Sequence, residues 1–544
     1  MKKTKSLNFG IKSALHCVKK LTALPVVIGA GCLTIFGLNY STANNVAVVN
    51  VANPSGTTIT FDITWDNSWR VSTGPSNYDG AWVFVKYQVV PVAATNCQSD
   101  LVWTHADITT AGSSVTVGAL LTMTTVSDAK GVFLHRSANG TGNITTHQIT
   151  LVLNIPAGTY NYDVFAIEMV NIPTANFELG DGISTYTFNS ITIDASTAAL
   201  TTGVIGGGIV ATIPATYPNG YTTFWTMKYE MSQKQYVDFL NTLTYDQQAT
   251  RTIVAPNTAP TTSGVCAMHT TCDNRSGIKL IQAGTGSSIP AVYGNDLITA
   301  PADAFNSAFD GQTIAMNYLS WDDLMSFLDW AALRPMTNFE YEKITRGTLS
   351  RLGDEYVWGT INVTQALSTS LTNGGQTSEV STATGNGLVA YNAASTSSPL
   401  RTGFAATGAT SRETAGAAHF GVMDMAGNVW EMVLGGINPS SGGYLVTYSD
   451  LGDGALDASG NFNTANWPLT YTWYGSRYVW HFEVRGGDFS STSTELRISD
   501  RSQANINSQR CYGCDHDAAV GGSCVNVTNA DVLRKRTQGG RGVR

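Results

Sequence analysis

The sequence predicts an all-β N-terminal sandwich followed by an α+β C-terminal domain rich in coil. Three observations carry this expectation. Apolar and polar residues alternate with a period of two over 44–200, the pattern of strands with one buried face. Beyond about 205 the spacing changes to helical period behind three capping signals. Finally, only 13% of residues are charged, about half the ~25% of ordinary soluble domains, while 54 Gly and many Thr, Ser and Asn fill the gap. A chain of 544 residues exceeds a single core at roughly 100–200 residues per domain. With 43% hydrophobic residues, wholesale disorder is excluded. A net charge of −8 without a long basic run excludes a nucleic-acid partner.

The N-terminus reads as a secretory signal over residues 1–43. Lys2, Lys3, Lys5, Lys12, Lys19 and Lys20 precede an apolar run from Leu24 to Leu38, and Ser41-Thr42-Ala43 supplies small residues for cleavage. The run falls short of the ~20 residues that span a bilayer, an uncleaved anchor being the alternative. Removing it takes away only positive charge and leaves about −14. No later segment is apolar enough to cross a membrane. The expected location is secreted or at the cell surface, with the periplasm as the alternative.

In the first mature region Ile59, Phe61, Ile63 and Trp65 alternate with polar residues, as do Val83, Val85 and Tyr87, and Ile149, Leu151, Leu153 and Ile155. Gly, Pro, Asn and Ser clusters separate these runs, and a two-sheet β-sandwich over 44–200 is the expected architecture. Its aromatics either pack the core or line a sugar-binding face. The stretch from Ala198 through Gly203 to Gly208 reads as a linker or a domain entry. In an oxidising compartment Cys97, Cys266, Cys272, Cys511, Cys514 and Cys524 are expected as disulfides, Cys266–Cys272 among them. Cys511, Cys514 and His516, with Cys524, can also be written as a zinc site.

The second region opens with Ser232 and Gln235 in capping-box spacing, followed by Tyr236, Phe239, Leu240 and Leu243 on one helical face. Ser320 and Asp323 open a second helix bearing Leu324, Phe327, Leu328 and Ala331. Thr337 and Glu340 open a third, which stops at Gly347, where glycine accommodates the left-handed cap. Residues 350–480 carry little periodicity, so loop packing, disulfides or bound ions must hold them.

A series of motifs in this region resembles the formylglycine-generating enzyme, or sulfatase-modifying factor, family. Tyr229-Glu230 through Tyr236 and Phe239 is similar to its opening helix, and Leu319-Ser320-Trp321-Asp-Asp to its "V-S-W-D-D-A". Arg334-Pro335-Met-Thr337-Asn-Phe-Glu340-Tyr-Glu342 is similar to "R-L-P-T-E-A-E-W-E", and Val357-Trp358-Gly359 to "P-W-G". Gly421-Val-Met-Asp424-Met-Ala-Gly427-Asn428-Val429-Trp430-Glu431 resembles "G-L-Y-D-M-A-G-N-V-W-E-W" nearly throughout. Arg485-Gly486-Gly487, Arg497, Arg501 and Gly540-Arg541-Gly-Val-Arg544 follow the family's closing pattern. The motifs run in family order over 205–544, and the resemblance implies a C-type-lectin-like fold there.

The resemblance also implies site residues. The family's enzymes oxidise a sulfatase cysteine to formylglycine with copper held by two cysteines after the "R-G-G-S" segment. The matching stretch from Asp488 to Arg501 contains no cysteine. Serine and threonine hydroxyls do not replace thiolates as soft ligands, so no catalytic residue and no copper are expected. His269, His419, His481 and His516 are scattered, unlike the clustered histidines of the iron enzymes on this fold. What the resemblance does carry over is a structural calcium site: the side chains of Asp424 and Glu431 and the carbonyls of Gly427 and Val429. A hard cation takes several oxygens of this kind. Trp430 matches a tryptophan near the family's catalytic pocket, and Arg485, Arg497 and Arg501 either face an anionic ligand or pair with nearby acids; together these four form the candidate ligand surface.

Two functional classes follow. The first is an exported, non-catalytic binding or structural protein with an unidentified surface or protein ligand, whose long weakly charged loops suit self-assembly. The second is an oxidoreductase of the formylglycine-generating type with a site rebuilt around the Cys511–Cys524 loop.

Overall fold

The computed structural model describes residues 46–89, 102–196, 200–203, 210–213, 217–286, 289–297, 305–307, 309–392, 397–435, 450–467, 471–474, 477–480, 482–503 and 534–544. The expected signal segment, Cys97, His481, Cys511, Cys514, His516 and Cys524 lie outside the described residues.

The N-terminal alternation resolves into β1 (Ala47–Ala52), β2 (Thr58–Arg70), β3 (Asp79–Val89), β4 (Asp107–Val115), β5 (Leu121–Thr125), β6 (Val132–Arg136), β7 (Gly140–Asn154) and β8 (Tyr160–Ile172). Later strands that frame the site are β9 (Phe224–Met227), β10 (Arg334–Pro335), β11 (Trp430–Leu434), β12 (Phe482–Arg485), β13 (Gln538–Gly539) and β14 (Gly542–Val543). One antiparallel sheet runs β1-β2-β7-β4. The other runs β10-β14-β9-β8-β3-β6-β5, with the short strand Thr104–His105 beside β3.

The second sheet crosses the boundary expected near 200–205. β8 pairs with β3 from Asp79↔Val170 to Val89↔Tyr160, and its other edge pairs with β9 from Phe224↔Ile172 to Met227↔Met169. The chain's last strand, β14, then lies between β9 and β10. N-terminal and C-terminal regions therefore share hydrogen-bonded backbone. In the segment read as a linker or domain entry, Leu200–Gly203 pairs antiparallel with Val210–Ile213.

Side-chain alternation explains how one sheet serves two cores. Ile59, Phe61, Ile63 and Trp65 of β2 join Ile149, Leu151 and Leu153 of β7 and Ala81, Val83 and Val85 of β3 in one apolar cluster. The reading of β3 as apolar on one face and solvated on the other needs correction, because Trp82, Phe84 and Lys86 are buried as well. Trp82 and Phe84 belong with Phe165, Ile167 and Met169 to a second cluster containing Phe239, Phe327 and Trp330. Burying side chains of this size stabilises by roughly 1.5–3 kcal/mol each, which makes β3 and β8 the common wall of both cores. Lys86 ends this buried row by donating from Nζ to the carbonyls of Trp330 at 2.7 Å and Gly454 at 2.6 Å. Its desolvation pulls the amine well below its ordinary pKa.

Four α-helices lie among the described residues: α1 (Gln233–Leu240), α2 (Tyr245–Arg251), α3 (Trp321–Trp330) and α4 (Asn338–Arg346). Ser232/Gln235, Ser320/Asp323 and Thr337/Glu340 all form reciprocal capping boxes. Gly347 closes α4 at φ +69°, a conformation that favours glycine, and the His419 ring fills the space a Cβ would need. The sequence reading missed α2, although Thr244 and Gln247 cap it in the same way. None of these helices is long and apolar enough to cross a membrane.

The remaining coil is tied by side chains. Cys266 and Cys272 form a disulfide with Cα atoms 5.4 Å apart. Arg544 sits over the Trp82 ring at 4.1 Å and pairs with Asp128 at 2.5 Å, tying β14 to the N-terminal strands. In a third sheet β11 lies between antiparallel β12 and parallel β13, which sets Glu431 opposite Arg485 and Gly539.

Candidate functional site

The turn from Asp424 into β11 is built from left-handed residues. Asp424, Gly427 and Asn428 have φ of +55°, +71° and +65°. At Gly427 a Cβ would strike Val389 and the Ala390 carbonyl, so the close approach demands glycine. Asn428 serves as the peg: its Oδ1 accepts from Leu400 N at 2.7 Å, and its Nδ2 donates to Glu230 Oε2 at 2.6 Å. Glu230 Oε1 accepts from Val429 N at 3.1 Å. Glu230, from the segment just before α1, therefore fixes the turn from beneath. The sequence reading quoted this residue in a motif without assigning it a role.

Three acidic side chains and one arginine meet here, all buried: Glu230, Asp424, Glu431 and Arg541. Arg541 Nε donates to Glu431 Oε1 at 2.5 Å, and its Nη2 pairs with the same oxygen. Nη2 also reaches the Asp424 carbonyl at 3.1 Å, while Nη1 reaches the carbonyls of Met227 and Lys228, each at 3.3 Å. Burial lifts the carboxyls of Glu230, Asp424 and Glu431 above their ordinary values, and mutual repulsion adds to the rise at Glu230. Burial works against the charge of Arg541, but Glu431 more than restores it.

Asp424 Oδ2 is taken by Gly403 N at 2.5 Å, and Glu431 Oε1 by Arg541. Glu431 Oε2 is buried without a hydrogen-bond partner. No backbone N–H among the described residues donates to the carbonyl of Gly427 or Val429. One carboxylate oxygen and two carbonyls of the turn are thus left without a hydrogen-bond donor, while no group of three or more His, Cys, Asp or Glu side chains placed to hold a metal ion occurs among the described residues.

The candidate ligand surface needs correction, because three of its four residues are interior. Trp430 is buried in the larger core cluster. Arg485 is fully buried, pairs with Glu342 at 3.1 Å, donates to Asn338 and the Ile498 carbonyl, and lies over the Tyr341 ring at 4.7 Å. Arg501 pairs with Glu483 at 2.8 Å and stacks on Phe188 at 4.0 Å. Arg497 alone is partly exposed and pairs with Asp354 at 2.8 Å. The reason is electrostatic: in a sparsely charged interior each guanidinium has been matched to a carboxylate, since an unpaired buried charge is costly. Arg346, which the sequence reading passed over, shares this network through Glu342 at 3.0 Å and Ser499 Oγ at 2.8 Å.

The stretch from Asp488 to Arg501 is a hydrogen-bonded turn. Ser490 Oγ donates to Asp488 Oδ1 at 2.6 Å, Asp488 N donates to Ser491 Oγ at 3.0 Å, and Thr492 and Glu495 cap a short 3-10 helix over Ser493–Leu496. Phe489, Leu496 and Ile498 are buried beside it. Desolvation raises the Asp488 carboxyl from 3.8 to about 6. Between those values the native chain holds a proton that the unfolded chain has released, so this contribution to stability is lost as pH rises through 6. His419 acts oppositely, since burial lowers it from 6.5 to about 4 and its contribution is lost as pH falls. Asp488→Asn should therefore lose the parent's gain on acidification: the melting temperature of the variant relative to the parent rises as pH goes from 4 to 6. Above pH 6 it gains up to about 3 kcal/mol over the parent. Thermal melts across that range check both slopes.

A family model described as the sulfatase-modifying factor enzyme 1-like domain matches residues 165–512, beginning inside β8. No curated protein matches the chain.

Proposed function

The chain belongs to the sulfatase-modifying factor enzyme 1-like family, and on that premise we propose that it is an exported, non-catalytic binding or structural protein. The observation that carries this reading is the stretch from Asp488 to Arg501. Where the resemblance implies the copper-holding cysteines, the sequence places serine, threonine and leucine, and these residues close a turn on themselves. The nearby arginines that could have met an anionic substrate are consumed by Glu342 and Glu483. A frame kept without its thiolates suits presentation of loops better than oxidation. The basic and apolar segment over 1–43 supports export to the surface, the medium or the periplasm.

Structural calcium is part of this proposal. The ion would be held by Asp424, Gly427, Val429 and Glu431 and would pin coil, supplying no chemistry. Size-exclusion chromatography with light scattering, on mature protein with and without a calcium chelator, tests both halves. The expected result is a lower melting temperature in chelator and an assembly larger than one chain. A monomer whose melting temperature ignores chelator contradicts both assembly and calcium.

A further inference from the structure

We propose that Lys228 and Asp79 condense into an intramolecular amide, with Glu168 carrying the protons, and that this bond staples the two halves of the chain covalently. The proposal rests on side chains other than those of the acidic turn and holds whether or not the chain binds calcium.

Three neighbouring strands bring the reacting groups together. Asp79 opens β3, Glu168 lies in β8, and Lys228 directly follows β9; β8 pairs with β3 on one edge and β9 on the other. Lys228 N donates to the Glu168 carbonyl at 2.9 Å, which continues the β9 pairing and sets the two side chains side by side. All three residues are buried. Lys228 Nζ stands 3.1 Å from Glu168 Oε2 and 3.5 Å from Asp79 Oδ2. The Trp69 and Tyr229 rings flank the amine at 4.8 and 5.5 Å. The Asp79 carboxyl is fixed by donors of its own. Its Oδ1 accepts from Ser68 Oγ at 2.7 Å and Trp69 N at 2.9 Å, and its Oδ2 from Trp65 Nε1 at 3.3 Å. One carboxylate suffices to balance one buried amine. Here a second, immobilised carboxyl shares the same enclosed site, the arrangement that favours reaction between held groups.

The chemistry follows from these positions. Desolvation works against the charge of Lys228, but Tyr229, Glu168 and Asp79 outweigh it and raise its pKa, so the amine arrives protonated. Glu168, the nearer acid, takes one proton and exposes the nitrogen lone pair. Nζ then bonds to the Asp79 carboxyl carbon. The charge gathering on Oδ1 meets the Ser68 hydroxyl and the Trp69 N–H, which act as an oxyanion hole. Glu168 returns its proton to Oδ2, a second proton follows from nitrogen, and the Cγ–Oδ2 bond breaks. Ammonium and carboxylate thus become an amide and one water, with no oxidant or cofactor. The new bond joins β3 to the residue after β9 across β8, where the N-terminal strands meet the C-terminal region.

Intact-mass spectrometry of reduced, denatured parent tests this without any variant having to fold. The expected mass lies about 18 Da, one water, below that of the unlinked mature chain. A tryptic digest should contain a branched peptide joining Asp79 to Lys228. Lys228→Arg keeps a cation between the two carboxylates, and it should show the unlinked mass, no branched peptide and a lower melting temperature. Glu168→Gln should remain largely unlinked. A parent at the unlinked mass, with Asp79 and Lys228 in separate peptides, would overturn the proposal. Linkage in Glu168→Gln as complete as in the parent would overturn the role given to Glu168.

Discussion

Replacing Trp82 by alanine is expected to cost about 3–5 kcal/mol, in the range for removing a large buried aromatic. Trp82 is 0% exposed, packs on Phe133 at 4.9 Å and carries the Arg544 guanidinium over its ring. Its Nε1 donates to the Ala331 carbonyl at 2.9 Å, just beyond α3, so truncation also strands a buried acceptor. The ring stands on the face of β3 that packs against the C-terminal helices. The loss should therefore spread through the chain as one transition, seen at the same urea concentration by tryptophan fluorescence and far-ultraviolet circular dichroism. An early transition confined to the N-terminal strands would show that the shared sheet does not couple the two regions.

A comparable loss is expected at Glu342. Its carboxylate accepts from Arg346 at 3.0 Å, Arg485 at 3.1 Å, Ser499 Oγ at 3.2 Å and Gly180 N at 2.8 Å. Glu342→Ala leaves two buried guanidinium groups short of a partner and should cost about 3–5 kcal/mol. Glu342→Gln, which keeps an acceptor oxygen, should cost distinctly less. Chemical denaturation of the two variants checks the order. Equal losses would mean that shape, not charge, holds α4 against β12.

Local chemistry was the legible part of this fold. Ser232, Ser320 and Thr337 announce their helices because a capping box is completed within four residues, and Thr244 announces a fourth by the same rule. The motif series from Tyr229 to Arg544 pointed to the family for a similar reason, since each piece is short and ordered. What escaped was long-range pairing. Nothing local distinguishes a strand buried on both faces from one buried on a single face when its second face carries Trp82, Phe84 and Lys86. Lys86 in particular reads as solvated until Trp330 and Gly454 supply its carbonyl partners. For the arginines the sequence left two outcomes open, an anionic ligand or pairing with acids, and Arg485 with Glu342, Arg497 with Asp354 and Arg501 with Glu483 follow the second; that Arg485 and Arg501 are interior as well is decided only by the folded chain. Glu230 and Arg541 were visible as letters in motifs, while their convergence on one turn depends on β9 and β14 being neighbours.

The central proposal is chemical: the chain belongs to the sulfatase-modifying factor enzyme 1-like family, and the stretch from Asp488 to Arg501, where the resemblance implies the copper-holding pair, carries no cysteine. The most direct measurement is conversion of a cysteine-bearing sulfatase peptide by the mature protein supplied with copper(I) and oxygen, with hydrazide capture of any aldehyde. No aldehyde above a protein-free control is predicted. Copper-dependent conversion that disappears in Cys511→Ser or Cys514→Ser would contradict the claim and assign a rebuilt active site to those cysteines.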